Sequence, residues 1–296
     1  MILARLLLAT DFSESSRPAL DFAARLARQS GAELHVMHAQ DPLLAAAAKE
    51  QGYDIAAEAR EELERFAAQA PTVAAAIGGR IPQCHVHVGS AVEAILTVAR
   101  REQANMIVVG AHGMSGAERL IFGSTTEGLL RRSELSVFVV PDRWSPPNPA
   151  ATDLSGTGPV IVGVDMTETS VVAAREAAWL AALLDTEVIL FHVVPELRVL
   201  DRWRAHAEAA LQANVATATT ELERVARGLP AGNVARVQVE AGAVPEAIAE
   251  GAERAPKGLL VLGRATRAHG NMTPGTIAYR VLTLAKVPVL MPVQKP

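Results

Sequence analysis

Cysteine is almost absent. Cys84 stands alone in 296 residues, so a disulfide framework within the chain is excluded and a reducing compartment fits. Aromatic residues contribute only 4% against 50% hydrophobic residues, so the core has to be built from Ala, Val, Leu and Ile. An excess of one charge is also missing. Twenty-eight basic against 32 acidic residues leave a formal charge of −4, which gives no long-range attraction to nucleic acid or to an acidic membrane. The opening run Met1–Thr10 has no basic flank and is stopped by Asp11. It is too short and too interrupted for a signal peptide or a spanning helix, and the cytoplasm is the expected location. Nucleophile elbows, zincin motifs and paired-carboxylate spacings are lacking too, so the chain offers little for an enzyme to stand on.

What is present is a repeat. Asp11 corresponds to Asp165, and His38 to His192, both 154 positions apart. Gly110 and Gly263 are 153 apart, Gly123 and Gly275 are 152 apart, and Pro141 and Pro292 are 151 apart. The shrinking offset marks single-residue deletions in the second copy. Residues 144–158 are rich in Pro, Ser and Gly and read as a linker. The expected domains are therefore 1–143 and 159–296.

Within the first copy, β-type runs at about 4–10, 32–39, 83–88, 105–110 and 136–140 alternate with helical patterns at about 14–30, 46–70, 90–103 and 124–132. Strands alternating with helices imply an α/β fold, with a parallel sheet covered on both faces and right-handed crossovers. Ligands of such sheets sit beyond the carboxyl ends of strands, where the strand order reverses. The run Asn105–Val109 stops at Gly110, and a loop with glycines at 110, 113, 116 and 123 follows. Ser124 and Glu127 have the spacing of a capping box, which predicts Ser124 as the N-cap of the next helix. Strand, glycine loop and helix N-terminus together suit an oxyanion, because the backbone can come close and first-turn N–H groups point at it. The loop lacks the lysine of a P-loop and is not a dinucleotide-type glycine turn.

Gly110-x2-Gly113-x9-Gly123-Ser124 resembles the nucleotide-binding signature of the universal stress protein family. Ala9–Ser13, ending the first strand in Asp11, and Glu33–Ala39, ending the second in His38 and a small residue, support the resemblance. It covers nearly the whole chain, and it implies two tandem doubly wound, Rossmann-like domains of the adenine nucleotide alpha hydrolase-like type, with strand order 3-2-1-4-5. That order places Asp11 and the glycine loop on one crevice. The implied ligand is ATP, ADP or AMP, with Mg²⁺ accompanying ATP where ATP is bound. Asp11 would accept from ribose or adenine, its alternative being an acid beside the helix start at Ser13. Ala39 would offer its main chain to the adenine edge, and Thr10 would line the base pocket. Gly110 and Gly113 would let the backbone approach phosphates, and Gly123, Ser124 and Thr125 would donate to them. His112 is open between a phosphate contact and solvent, and Arg119 is the best basic candidate, its alternative being a solvated loop arginine. The resemblance implies a stress-response binding module. Slow ATP hydrolysis in the same pocket, kinship with electron-transfer flavoproteins and a nucleotide-free scaffold are the rival readings.

The second copy departs from the pattern. Thr266 stands where the first copy has Gly113, and Tyr279 replaces the capping-box glutamate. Asp165, Val193, Gly263, Gly275 and Thr276 remain as binding candidates, with Arg264 and Arg267 able to compensate by charge. Full nucleotide binding is not expected there. Cys84-His85-Val86-His87 resembles metal-ligand material, but strand alternation turns Cys84 away from both histidines, so no metal is expected. The final runs Leu135–Pro141 and Val287–Pro292 read as edge strands open to pairing. Universal stress proteins resemble dimers joined through this strand. The expectation is an internal pseudo-dimer of the two copies, able to dimerise again, with Pro288 shortening the ladder.

Overall fold

The computed structural model describes residues 2–68, 82–112, 123–196, 200–230, 235–255, 257–264 and 275–293. Two compact units emerge, Met1–Gly156 and Thr157–Pro296. The first runs β1 (Arg5–Thr10), α1 (Arg17–Ser30), β2 (Glu33–Gln40), α2 (Pro42–Glu50), α3 (Ile55–Ala68), β3 (Gln83–Val88), α4 (Ala91–Arg101), β4 (Met106–Gly110), α5 (Ser124–Arg132) and β5 (Ser136–Val140). Its sheet has the order β3-β2-β1-β4-β5, with every ladder parallel. The expected 3-2-1-4-5 order is thus present. All five residues of β4 and all five of β5 are buried. Successive strand residues face opposite sides, so both faces of this sheet are covered.

The second unit repeats the plan with β6 (Val160–Gly163), α6 (Glu168–Leu184), β7 (Val188–Pro195), α7 (Arg204–Arg227), β8 (Ala235–Gly242), α8 (Val244–Arg254), β9 (Leu259–Leu262), α9 (Thr276–Leu284) and β10 (Val289–Met291). Its order, β8-β7-β6-β9-β10, is the same permutation, again all parallel. Among the described residues no helix is long and apolar enough to cross a membrane.

Two local differences from the sequence reading have clear causes. The single helix expected at 46–70 is two helices. Asp41 caps α2 by accepting from the N–H groups of Leu43 and Leu44, with Pro42 at its first turn. Gly52 then turns the chain at φ +78°, and Asp54 accepts from Ala56 and Ala57 to start α3. Most of the expected linker is packed on the first unit. Trp144 meets the edge of Phe22 at 5.2 Å. Arg25, 2% exposed, donates to the carbonyls of Asn148, Ala151 and Asp153 and pairs with Asp21 at 3.0 Å.

Candidate functional site

In the first unit a cavity of about 300 Å³ opens where the carboxyl ends of β1, β2 and β4 meet the start of α5. Thr10, Asp11, Ala39, Gly110, His112, Gly123, Ser124 and Thr125 all line it. Gly113, Gly116 and Arg119 lie outside the described residues. The sequence reading did not assign Ser16, Met37, His38, Ile95 or Thr126 to this wall, yet they belong to it. Met37, His38 and Thr126 adjoin assigned residues on β2 and α5, whereas Ser16, just before α1, and Ile95 on α4 reach the wall only through the fold.

The end of β1 is held by hydroxyls. Ser13 donates to Asp11 Oδ1 from its backbone N–H at 3.1 Å and from Oγ at 2.5 Å. Thr10 Oγ1 accepts from the Phe12 N–H and lies 2.9 Å from Ser16 Oγ. This turn forces Phe12 to φ +65°, a left-handed conformation that costs a non-glycine residue about 1 kcal/mol. Phe12 then stacks on His38, with ring centroids 4.3 Å apart. His38 Nδ1 lies 3.0 Å from the Thr10 carbonyl, which can only accept, so Nδ1 carries the proton. Burial pushes the His38 imidazole below its ordinary value, partly offset by that bond and by Asp11. His38 is therefore a neutral latch between β1 and β2 that fixes the Ala39 backbone at the cavity edge.

The start of α5 corrects the expected capping box. The N-cap is Gly123, and Ser124 is already inside the helix. Glu127 turns to Arg131 at 2.6 Å instead of folding back. A cap without a side chain leaves the N–H groups of Ser124, Thr125 and Thr126 without an acceptor among the described residues. Thr126 Oγ1 donates to the Gly110 carbonyl at 2.9 Å, which ties the helix start to β4. A Cβ at Gly110 would make ordinary contacts, 3.4 Å from the His112 carbonyl oxygen and 3.5 Å from that of Ser15, so protein packing alone does not dictate glycine there. The arrangement can hold an anion at one end and hydroxyl or amino donors at the other.

The second unit has a cavity of about 660 Å³ in the equivalent place, lined by Asp165, Val193, Gly263, Gly275 and Thr276 among others. The Asp165 turn copies the first. Thr167 donates to Oδ1 from N–H and hydroxyl, and Met166 takes φ +64°. Burial acts to raise the Asp165 carboxyl, but the Thr167 bonds outweigh it and hold it below the usual carboxylate range. His192 Nδ1 donates to the Val164 carbonyl at 2.6 Å. Gly275 is the cap of α9, so Thr276, like Ser124, is not the N-cap. Arg264 does not line this cavity. It takes the place of Ala111, an inward-facing position, and is 2% exposed, with burial pushing its guanidinium down to about 10. Thr266 and Arg267 lie outside the described residues.

At the amino-terminal side of the first sheet, His35, His85 and Glu102 approach one another closely enough to raise the question of a metal. The hydrogen bonds answer against one bound at these three groups. Arg101 Nη2 lies 3.1 Å from His85 Nδ1, and guanidinium only donates, so Nδ1 is the acceptor and Nε2 carries hydrogen. That proton points at His35 Nδ1, 3.0 Å away, where an ion would need two lone pairs. Cys84 faces away and is buried, its thiol pushed up to about 11 mainly by burial.

Each unit is an open parallel α/β domain with its cavity at the point where strand order reverses. The model of the universal stress protein family matches residues 3–141 and again 157–292, and the chain belongs to that family. A universal stress protein of Mycobacterium tuberculosis is 28% identical over 207 residues, 64% of this chain. The match spans 63% of that relative's own length. A universal stress protein from Archaeoglobus fulgidus shares the fold, with TM-score 0.66 at 21% identity and full coverage of both chains. A universal stress protein solved in complex with cAMP is 27% identical, with TM-score 0.36, over 47% of this chain and 98% of its own.

Proposed function

We propose that the first unit binds ATP or a related adenine nucleotide and serves as a nucleotide-dependent regulatory module in a stress response. The observation that carries this reading is the pairing, across one cavity, of the open α5 terminus with the Thr10, Asp11 and Ala39 edge. The helix terminus suits phosphate, and Asp11 with the Ala39 main chain suits the adenosine end. Asp11 is the one acidic residue among the described lining, and its Oδ1 is already bonded by Ser13. A Mg²⁺ ion accompanying ATP would therefore depend on the phosphates and water for most of its ligands. The same scarcity favours binding over hydrolysis, because among the described lining residues no second carboxylate stands ready to orient water. A cytoplasmic location and the pairing of copies into dimers belong to this proposal. Sedimentation of the purified chain tests the second.

Mass spectrometry of small molecules released from freshly purified, undialysed protein is the direct test. Recovery of an adenine nucleotide, and its loss in Gly123→Val, supports the reading. Failure of ATP, ADP, AMP and cAMP all to bind the folded protein in calorimetry ends it. The valine keeps the helix but places a branched side chain where the anion would sit, so a tenfold or greater loss of affinity is expected, equivalent to about 1.4 kcal/mol.

A further inference from the structure

The Arg101, His85, His35 contacts form a directed chain. Arg101 Nη2 donates to His85 Nδ1 at 3.1 Å. His85 Nε2–H donates to His35 Nδ1 at 3.0 Å, with the two rings 6° from parallel. His35, 3% exposed, is left with a buried Nε2–H that has no partner at hydrogen-bond distance among the described residues. Its nearest carboxylate is Glu33 Oε2, at 3.9 Å. Every donor direction is fixed by the cation at one end. The charged groups facing the pair are Glu33 on its own strand, Arg5 on β1, Arg60 on α3, and Arg101 and Glu102 at the end of α4.

A proton entering this chain has only two lone pairs to occupy. At His35 Nδ1 it would meet the His85 Nε2–H head on. At His85 Nδ1 it would meet Arg101, a second cation and a donor. The second conflict has an exit, because Glu102 Oε1 lies 3.7 Å from His85 Nδ1. Arg101 is already bonded to that carboxylate at 2.6 Å and is half exposed, so it can swing outward.

We propose that Arg101, His85 and His35 form a proton-operated switch, in which acid exchanges Arg101 for Glu102 at His85 and loosens the β3 edge of the first unit. Burial holds both imidazoles below their ordinary value, with Glu102 pulling the other way on each. The neutral chain therefore persists at neutral pH and gives way on acidification. Among the described residues β3 is the outermost strand of its sheet, joined only to β2 within the unit, so the exchange acts on the edge least able to resist it. The elements that carry the switch also carry Met37, His38 and Ala39 on β2 and Ile95 on α4, all of which line the cavity.

Imidazole nitrogen NMR on the intact chain, from about pH 7.5 to about pH 5, tests this directly. At neutral pH both rings should carry hydrogen on Nε2 alone. Protonation of His85 at Nδ1 should coincide with loss of amide protection in β3. Arg101→Gln removes the competing cation and should move both events to higher pH. Glu102→Gln removes the acid-state acceptor and should move them to lower pH. An Nδ1–H tautomer on either ring at neutral pH overturns the proposal. So does a His85 titration that both variants leave in place, or β3 protection that stays constant through it.

Discussion

Arg25 shows how much can hang on one side chain. It is 2% exposed and satisfies three carbonyls of the 148–153 segment while pairing with Asp21. Truncation breaks the ion pair to half-buried Asp21 and removes the donor shared by three carbonyls of that segment. Arg25→Ala should therefore cost on the order of 3 kcal/mol in urea unfolding. It should also open residues 144–156 to protease before the rest of the unit. Equal protease resistance of variant and parent would show that Trp144 alone holds the segment. Composition could not disclose this strap, because Pro, Ser and Gly mark flexible linkers and fixed crossings alike. The same limit applied to His35. Its partner His85 comes from a strand 50 positions away, and only the β2–β3 register, Met37 beside His85, places the two side by side. Asp11 and Gly110 were legible because each closes an apolar run at a strand's carboxyl end, whereas Ala39 was placed by the family resemblance alone.

At the scale of elements, the strands were readable almost to the residue, since apolar runs ending in Gly or Asp are sharp signals. Helix starts were less so. The Ser124, Glu127 spacing matched a capping box, yet Gly123 won the cap and Arg131 won the glutamate. A four-residue spacing rule cannot weigh an i,i+4 ion pair against a cap. The Asp41-Pro42 start of α2 was the opposite case, a strong signal hidden under a run of alanines. α2 buries none of its residues, so its persistence rests on that cap rather than on packing. Asp41→Ala should cost about 1 kcal/mol locally and speed amide exchange in residues 43–50, while leaving β2 protected. Unchanged exchange in α2 would mean that another contact holds the helix.

For the molecule as a whole, charge state should separate the two units. Three of the five imidazoles in the first unit, those of His35, His38 and His85, are pushed below their ordinary value chiefly by burial. A folded value below the unfolded value near 6.5 means that these groups contribute stability above that pH and withdraw it as pH falls. In the second unit, Asp165 is a carboxyl held low, whose contribution fails only as pH drops through the carboxylate range. Acidification from about pH 7 to about pH 5 should therefore lower the unfolding midpoint of the first unit before that of the second. The three tryptophans allow the units to be read separately, because Trp144 lies in the first and Trp179 and Trp203 in the second. A chain carrying Trp179→Phe and Trp203→Phe reports the first unit by fluorescence, and one carrying Trp144→Phe reports the second. The first midpoint should fall over this interval and the second should hold. A first-unit midpoint that stays level or rises on acidification would mean that its buried imidazoles find compensating acceptors when charged.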